Sequence, residues 1–379
     1  MIIGILGEGS ADKRVAITPE HISSLKGLKA ASILVETNAG LNASYPDADY
    51  LAKGAEINTR QDVIAKSDIL IKIHPVDATE LALMKGKVLI GGFNPLVNTD
   101  FVTQCLNAGV SAFSLDVIPR TTRAQAMDIL SSMATVAGYK AVLTAAATLP
   151  KFFPMFMTAA GTITPAKVVI LGAGVAGLQA IATAKRLGAV VEASDVRTAA
   201  KEEVLSLGAK FIEVEGATED KAAGGYAVEQ TEDFKKRQQA KVQEHAAKAD
   251  VIICTAQIPG RKAPILLLKE TVMQMKPGSV IIDLAASTGG NCELTENNKT
   301  IQVNGVTIIG DSNLQATMPY DASKMFGKNI LNYIKLIIDK DGNVNLNWDD
   351  DLVTGTCIAH QGEIKNERVK AVMGSLVIS

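Results

Sequence analysis

The fold is decided by the stretch Lys167-Val-Val-Ile-Leu-Gly172-Ala-Gly174-Val-Ala-Gly177-Leu-Gln-Ala-Ile-Ala-Thr-Ala-Lys-Arg-Leu-Gly188. An aliphatic strand runs into three spaced glycines, a helix of small residues follows, and the next strand is expected at 190–194. Gly172 permits the tight turn, Gly174 lets a pyrophosphate approach the backbone, and Gly177 lets helix and strand pack closely. The sequence therefore predicts a Rossmann-type unit that binds a dinucleotide.

The end of the second strand predicts which dinucleotide is bound. Asp195 stands where a carboxylate accepts hydrogen bonds from the adenosine ribose and repels a 2′-phosphate, which favours NAD over NADP. Arg197 leaves the alternative open, because an arginine nearby accommodates a 2′-phosphate. The segment 255–260 follows another strand of the same unit and is expected either to line the nucleotide site or to be a purely structural loop. The predicted cofactor-binding residues of this unit are Gly172, Gly174, Val175, Ala176, Gly177, Asp195, Val196, Arg197, Ala256 and Gln257.

Length and composition limit the possibilities further. The 379 residues exceed one ordinary core, and 47% hydrophobic with only 4% aromatic residues suits parallel α/β packing. The net charge of −2 gives no electrostatic basis for binding nucleic acid. The apolar stretch 131–165 is interrupted by charges and prolines, so we expect no membrane insertion. The four cysteines and four histidines show no metal-ligand spacing, and no metal site is expected.

Strands and helices alternate along nearly the whole chain. Strands are expected at 2–6, 32–36, 68–73, 88–91, 110–114, 167–171, 190–194, 210–214, 251–255, 280–283 and 306–309. This pattern predicts an α/β fold with two Rossmann-like domains, mainly parallel sheets, and a cleft between the domains. A long amphipathic helix at 319–339 is expected to lead back to the first domain and make it discontinuous. The predicted limits are 1–128 plus 325–379, and 129–324 with its connecting helices.

Three further segments resemble one known family. They are Lys13-Arg14-Val15-Ala16-Ile17-Thr18-Pro19, Arg120-Thr-Thr-Arg123-Ala-Gln125-Ala-Met-Asp128-Ile-Leu-Ser131-Ser132 and Ala223-Gly224-Gly225-Tyr226-Ala227. The first resembles a signature shared by alanine dehydrogenase and the NAD(H)-binding component of proton-translocating transhydrogenase. The second and third resemble the "RQD" loop and the mobile loop of the transhydrogenase component. The resemblance covers nearly the whole chain.

The resemblance implies a function and a setting. The family component binds NAD(H), passes hydride to NADP⁺ on a partner domain, and works as a homodimer beside NADP(H)-binding and membrane-spanning subunits. It lies in the cytoplasm, peripheral at the inner face of the plasma membrane. NADP is held only by the partner domain. Carried over by position, Arg120, Gln125, Asp128 and Ser131 would act at the nicotinamide end as the catalytic residues, and Tyr226 would lie on the loop that closes over NAD(H).

The alternative function is that of an alanine dehydrogenase-like, NAD-dependent amino-acid oxidoreductase. Arg14, Lys72 and Asp283 match its pattern, but the strand end that should carry a catalytic histidine has Asn94. An amino-acid dehydrogenase needs a general acid or base, whereas hydride transfer between two nicotinamides needs only positioning and a shielded site. Arg14 and Lys72 are therefore interpreted as structural residues. A non-enzymatic NAD sensor would need the glycines and Asp195 but not the 120–128 loop.

Overall fold

The structure is a computed structural model that describes residues 1–377 apart from Ala11, Ala31, Thr198, 215–230 and Pro259. The chain forms two compact units, Met1–Met133 with Ala316–Ser379 (unit 1) and Ala134–Gln315 (unit 2). Compactness is not the same as independent folding, so the domain limits derived from the sequence stay a prediction.

The first half of unit 1 is a series of parallel strands joined by helices. The strands are β1 (Ile2–Ile5), β2 (Ser32–Glu36), β3 (Glu56–Asn58), β4 (Ile69–Ile71), β5 (Val88–Gly91) and β6 (Ser111–Ser114). The helices are α1 (Pro19–Lys26), α2 (Asp47–Ala52), α3 (Arg60–Lys66), α4 (Ala78–Ala82) and α5 (Thr99–Ala108). A 3-10 segment, Thr122–Met127, precedes the long helix α6 (Ile129–Thr148), which begins in unit 1 and ends in unit 2.

Unit 2 contains a second sheet and a small hairpin. Its strands are β7 (Phe156–Thr158), β8 (Gly161–Ile163), β9 (Lys167–Leu171), β10 (Val190–Ser194), β11 (Lys210–Phe211), β12 (Val251–Cys254), β13 (Val280–Asp283), β14 (Thr300–Val303) and β15 (Val306–Ile309). Its helices are α7 (Val175–Arg186), α8 (Ala200–Ser206), α9 (Glu232–Ala246) and α10 (Lys269–Val272). The sheet order is β11-β10-β9-β12-β13-β15-β14, parallel except at the edge strand β14, while β7 and β8 pair only with each other.

The chain then returns to unit 1 and completes its sheet. The returning elements are α11 (Pro319–Ile337), α12 (Asp351–Thr356), β16 (Cys357–Ala359) and α13 (Glu367–Val377). The sheet order is β16-β6-β5-β4-β1-β2-β3, and β16 alone is antiparallel, against β6. The prediction of an α/β fold with mainly parallel sheets and a discontinuous first domain is therefore confirmed.

Helix α6 is the one described helix that is long and apolar enough to cross a membrane by length and composition. Its second half packs into the core of unit 2, where Ala141, Val142 and Ala145 are buried with Val168 of β9. Gly138 allows a close approach, because a Cβ there would lie 2.1 Å from the backbone oxygen of Ala176. These contacts are those of a core helix in a globular protein.

The hairpin of β7 and β8 carries exposed apolar side chains. All six of its strand residues are exposed, and Met157 is 78% exposed. The ring of Phe156 meets that of Phe152 edge-on, with centroids 4.7 Å apart. No charged residue occurs between Lys151 and Lys167. This uncharged surface is of the kind that proteins cover by association.

Helix α1 begins with a buried histidine that the fold keeps neutral. Pro19 occupies the first turn, and the N–H of Thr18 donates to Nδ1 of His21 at 3.4 Å while Oγ1 of Thr18 lies 2.9 Å from the same nitrogen. Burial lowers the pKa of His21; Glu20 opposes this, and Lys328 and Lys324 reinforce it. A protonated imidazole could not accept from Thr18, so the neutral ring is the one that fits.

We therefore expect acid to destabilise the protein through His21. Because the unfolded chain binds this proton more readily, the free energy of unfolding should fall as pH drops below about 6.5, by up to about 1.4 kcal/mol per pH unit for one proton. Urea unfolding at pH 7.5, 6.5 and 5.5 measures the slope. His21→Gln should reduce it, leaving the contribution of His360, whose pKa is lowered by burial and by Lys365. An unchanged slope in His21→Gln would contradict the expectation.

Candidate functional site

The three glycines between β9 and α7 have the geometry that their spacing predicts. Gly172 has φ +101°, and a Cβ there would lie 2.7 Å from Oγ1 of Thr255. A Cβ on Gly177 would lie 1.9 Å from the backbone oxygen of Gly172. Gly174 differs, because no heavy atom of the described residues outside its own neighbours lies within 4 Å of the position a Cβ would take. Two glycines are thus needed for packing, and the third faces open space.

The open space adjoins the N-terminus of α7. Gly174 is the N-cap residue, Val175 is exposed and Ala176 is partly buried. The first N–H groups of a helix have no acceptor within the helix, and the helix dipole adds partial positive charge there. The loop therefore offers backbone donors to an anion such as a pyrophosphate.

Asp195 follows β10 and contacts the same loop. Its Oδ2 accepts a hydrogen bond of 2.7 Å from the N–H of Ala173, and its Oδ1 accepts one of 2.8 Å from the N–H of Arg197. The guanidinium of Arg197 also pairs with the carboxylate, with Nε 3.0 Å from Oδ1 and Nη2 3.1 Å from Oδ2. The carboxylate raises the pKa of Arg197 further above its usual value. Asp195 is thus placed beside the phosphate loop and held there by the arginine, whereas Val196 is exposed.

The loop after β12 lies against the glycines. Oγ1 of Thr255 donates to the backbone oxygen of Gly172 at 2.8 Å. Asn291, which is fully buried, accepts from the N–H of Ala256 at 3.0 Å and donates to its carbonyl at 2.9 Å. Gln257 is exposed and its amide donates to the carbonyl of Leu284 at 2.5 Å. Sequence reasoning missed Asn291, whose only local signal is the Gly-Gly pair before it.

Asp283 anchors that buried asparagine. Its carboxylate accepts hydrogen bonds from the N–H groups of Ala285, Asn291 and Cys292 at 2.8–3.0 Å and from Oγ1 of Thr295 at 2.6 Å. It is fully buried at the end of β13. Asp283 matched the alanine dehydrogenase pattern, but here it is a structural residue that holds the loop 284–295.

The second predicted set, on the loop 120–131, lies in unit 1. Arg120 and Gln125 are exposed, and Asp128 and Ser131 are partly buried. Asp128 caps α6, because it accepts from the N–H of Ser131 at 2.9 Å and from its Oγ at 2.6 Å. The structure therefore brings Asp128 and Ser131 together and gives both a role in starting the helix. Action of the four residues at a nicotinamide stays a prediction.

The same loop is tied to the returning segment of the chain. Arg123 pairs with Asp350 at 2.6 Å and with Asp351 at 3.0 Å. The carbonyl of Ala126 accepts from the side-chain amides of Asn329 and Asn332, each at 3.0 Å. None of these contacts follows from the local sequence, since more than 200 positions separate the partners. Tyr226 and the segment 217–229 lie outside the described residues.

The two cations of the alternative function are paired internally. Nζ of Lys72 lies 2.8 Å from Oε2 of Glu8, whose side chain is fully buried. Arg14 pairs with Asp12 at 2.6 Å, and both are almost fully buried. Burial raises the pKa of Asp12, but hydrogen bonds from His74 and Arg14 outweigh this and hold it well below its usual value. Both cations are thus matched by an ionised or hydrogen-bonded carboxylate, which agrees with a structural interpretation.

One expectation about the first loop is wrong. Glu8 stands in Gly4-Ile-Leu-Gly7-Glu8-Gly9, where its charge was expected to face any bound phosphate. Instead its carboxylate turns inward and accepts from the N–H groups of Ile73 and His74 at 2.6 and 3.1 Å. Asn94, at the strand end that lacks the histidine, has φ +51°, and its N–H donates to Asp116 at 2.6 Å.

Fold and site together define an NAD(P)-type dinucleotide-binding protein with two Rossmann-like units. Residues 4–137 match the N-terminal domain, and residues 141–367 the C-terminal domain, of the Alanine dehydrogenase/PNT family. The chain belongs to this family, and within it to the relatives of the first portion of the NAD(P) transhydrogenase alpha subunit. That protein of Rhodospirillum rubrum is 46% identical over 93% of this chain and 94% of its own length.

Two further relatives separate the transhydrogenases from the alanine dehydrogenases. The crystal structure of transhydrogenase from Sinorhizobium meliloti superposes with a TM-score of 0.88 at 42% identity, covering 96% of this chain and all of that one. The alanine dehydrogenase of Mycolicibacterium smegmatis is 26% identical over 97% of this chain and 96% of its own length. The higher identity to the transhydrogenases agrees with the missing histidine at Asn94.

Proposed function

We propose that this chain binds NAD(H) at the 172–177 loop and transfers hydride directly to NADP⁺ held by a partner domain, as the soluble component of a proton-translocating transhydrogenase. One contrast carries the proposal. The backbone at Gly174 is open to a ligand, whereas Arg14 and Lys72 are already paired with Asp12 and Glu8. An amino-acid dehydrogenase needs cations for the substrate carboxylate and a general acid or base, and transfer between nicotinamides needs neither.

The nucleotide is held by residues of unit 2. The N–H groups of Val175, Ala176 and Gly177 bind the pyrophosphate at the start of α7, with Gly172 and Gly174 shaping the turn. Asp195 accepts from the adenosine ribose, and Val196, Arg197, Ala256 and Gln257 line the site. When bound, NADH supplies the hydride from C4 of its nicotinamide.

The residues of the 120–131 loop act at the nicotinamide end. Arg120 and Gln125, with exposed side chains, orient the ring, and Asp128 and Ser131 fix the start of the helix behind them. Tyr226 lies over the bound nucleotide. Positioning of this kind is enough for a reaction in which one C4 loses a hydride and another gains it, because alignment itself supplies much of the rate.

The assembly is proposed on the same grounds. The relatives include the first portion of an alpha subunit that is divided between chains, and such a portion works with NADP(H)-binding and membrane-spanning subunits. We place the chain in the cytoplasm, attached to the inner face of the plasma membrane through those subunits. The exposed apolar hairpin of β7 and β8 supports a homodimer, since self-association removes this surface from water.

The test is stopped-flow absorbance of hydride transfer. NADH and this chain are mixed with an NADP(H)-binding transhydrogenase subunit loaded with an NADP⁺ analogue of shifted absorbance. Rapid transfer with the partner, and little without it, is the expected result. Sedimentation of the same preparation gives the number of copies. Robust NAD⁺ reduction by alanine with this chain alone would overturn the proposal and establish the alternative, an alanine dehydrogenase-like activity.

Asp195 is expected to set the choice between NAD and NADP. Asp195→Asn removes a negative charge and leaves the Arg197 cation without its carboxylate, so a 2′-phosphate becomes acceptable. The ratio of NADH to NADPH affinity should fall at least about tenfold, since loss of a like-charge clash and gain of a cation each change binding by ~1 kcal/mol or more. Calorimetric titration with both nucleotides measures this.

The matched control for Asp195 is Glu213→Gln, which removes an exposed carboxylate paired only with Lys201. It should leave the affinity ratio unchanged. Equal NADH and NADPH affinities in the unmutated protein would refute a role of Asp195 in reading the ribose.

A further inference from the structure

The loop that carries Gln125 is a short 3-10 segment with little support of its own. Only Ala124 and Met127 are buried within Thr122–Met127. A 3-10 turn has poorer hydrogen-bond geometry than an α-helix, so such a segment depends on contacts from elsewhere. Its position must therefore be set by the residues that bind its backbone from outside.

Two asparagines of α11 supply that contact. Asn329 and Asn332 are three positions apart and so lie on one face of the helix. Their amide groups donate to a single acceptor, the carbonyl of Ala126, each at 3.0 Å. This carbonyl belongs to the residue immediately after Gln125, so its orientation fixes the backbone on which the Gln125 side chain stands.

Asn329 is an unusual choice for its position. It is 6% exposed, and within the described portion of the chain its Oδ1 has no hydrogen-bond partner. Asparagine is a weak helix former, and a buried polar atom without a partner is costly. An apolar side chain would suit the stability of this helix better. What the position uses is the donor nitrogen.

The other external tie of the loop is weaker. Arg123 pairs with Asp350 and Asp351, but its side chain is 57% exposed, and ion pairs in water are screened by salt. The bond from Asn329 is buried and does not depend on ionic strength. It is the contact that can hold the loop to a fraction of an ångström.

We propose that Asn329, assisted by Asn332, is a positioning residue that holds the Ala126 peptide and thereby aligns Gln125 for hydride transfer. The inference rests on the proposed function of Gln125 at the nicotinamide. It assigns no contact between Asn329 and the nucleotide. A misplacement of about 1 Å at a reacting centre can lower a rate about 100-fold.

The decisive variant is Asn329→Leu, which keeps the volume and removes both the donor and the unpartnered oxygen. We expect a melting temperature equal to or above that of the unmutated protein, an NADH dissociation constant within about threefold, and a transfer rate lower by about 10- to 100-fold. With NADH deuterated at the transferred position, the isotope effect should be fully expressed, because the hydride step limits the rate. A merely structural role would lower stability and leave that signature unmoved.

Two further variants keep the test sharp. Asn332→Leu changes a partly buried position without burden on the core and should slow transfer at least threefold. Lys335→Ala changes an exposed residue three positions further along α11 and should change nothing. If Asn329→Leu fails to fold, Asn332→Leu decides alone. A transfer rate within threefold of the unmutated rate in a folded Asn329→Leu, or in Asn332→Leu when it decides alone, would overturn the inference.

A readout without the partner separates this inference from the proposed function. The ¹⁵N resonance of Met127 reports on the Ala126 carbonyl, which shares its peptide group, and the chain contains 11 methionines for selective labelling. Asn329→Leu should shift that resonance, and Lys335→Ala should not. Absence of transfer in the unmutated protein would refute the proposed function alone, whereas an unmoved Met127 resonance would refute the positioning contact alone.

Discussion

Gly174→Ala is expected to weaken NADH binding by at least tenfold and to leave the melting temperature unchanged. A methyl group at Gly174 meets open space in the free protein, so folding has no reason to suffer. It occupies the approach of the pyrophosphate to the backbone, and overpacking of this kind costs about 1–3 kcal/mol, or roughly 5- to 150-fold in affinity. Calorimetry with NADH and differential scanning calorimetry measure the two quantities.

Gly177→Ala should behave differently, because its methyl group would lie 1.9 Å from a backbone oxygen. Strand and helix must separate, so we expect a loss of about 1–3 kcal/mol in unfolding free energy and at least about 100-fold in NADH affinity. Val175→Ala is the matched control, since it trims an exposed side chain and keeps the N–H. Unimpaired NADH binding by Gly174→Ala would show that no ligand approaches this backbone.

Gln125→Asn is expected to slow hydride transfer about 100-fold while the NADH dissociation constant changes less than about threefold. The shorter side chain withdraws the amide by roughly 1 Å or more, and alignment at the reacting carbon is what the loop contributes. The side chain is exposed, so stability should not change. Single-turnover stopped-flow with the partner subunit gives the rate, and fluorescence titration gives the affinity.

The control for Gln125 is Thr122→Ala, an exposed change in the same 3-10 segment. It should transfer hydride at the unmutated rate. If Gln125→Asn transfers normally but binds NADH poorly, Gln125 is a binding residue and does not take part in aligning the two rings.

The phosphate loop could be predicted from sequence because its determinants are local. Each glycine answers to a steric demand within a few residues, and the strands β2, β5, β9, β10, β13 and β15 have the predicted limits. The short strand β3 and the edge strands β14 and β16 were not predicted. Each has three or four residues, and β14 and β16 depend on antiparallel neighbours that the local pattern does not reveal.

The contacts that neutralise or support the site could not be predicted for a different reason. Glu8 pairs with Lys72, and Asn329 with the backbone of Ala126, across long stretches of chain. No periodicity records such a partner. The pairing of Arg197 with Asp195 is local, but the sequence left open whether the arginine serves the carboxylate or a phosphate.

The return of the chain to unit 1 gives the protein an order of assembly. β16 pairs with β6 about 240 residues earlier, and closing a loop of that length costs about 5 kcal/mol in chain entropy. Unit 2, by contrast, is one uninterrupted segment, so its sheet can form while the ribosome has yet to add α11 and α12. A nascent chain can thus possess its glycine loop well before Asn329 has been synthesised to steady the Gln125 segment. Nucleotide binding would be acquired early in biogenesis and competence for hydride transfer late, which delays redox chemistry until the polypeptide has nearly left the ribosome.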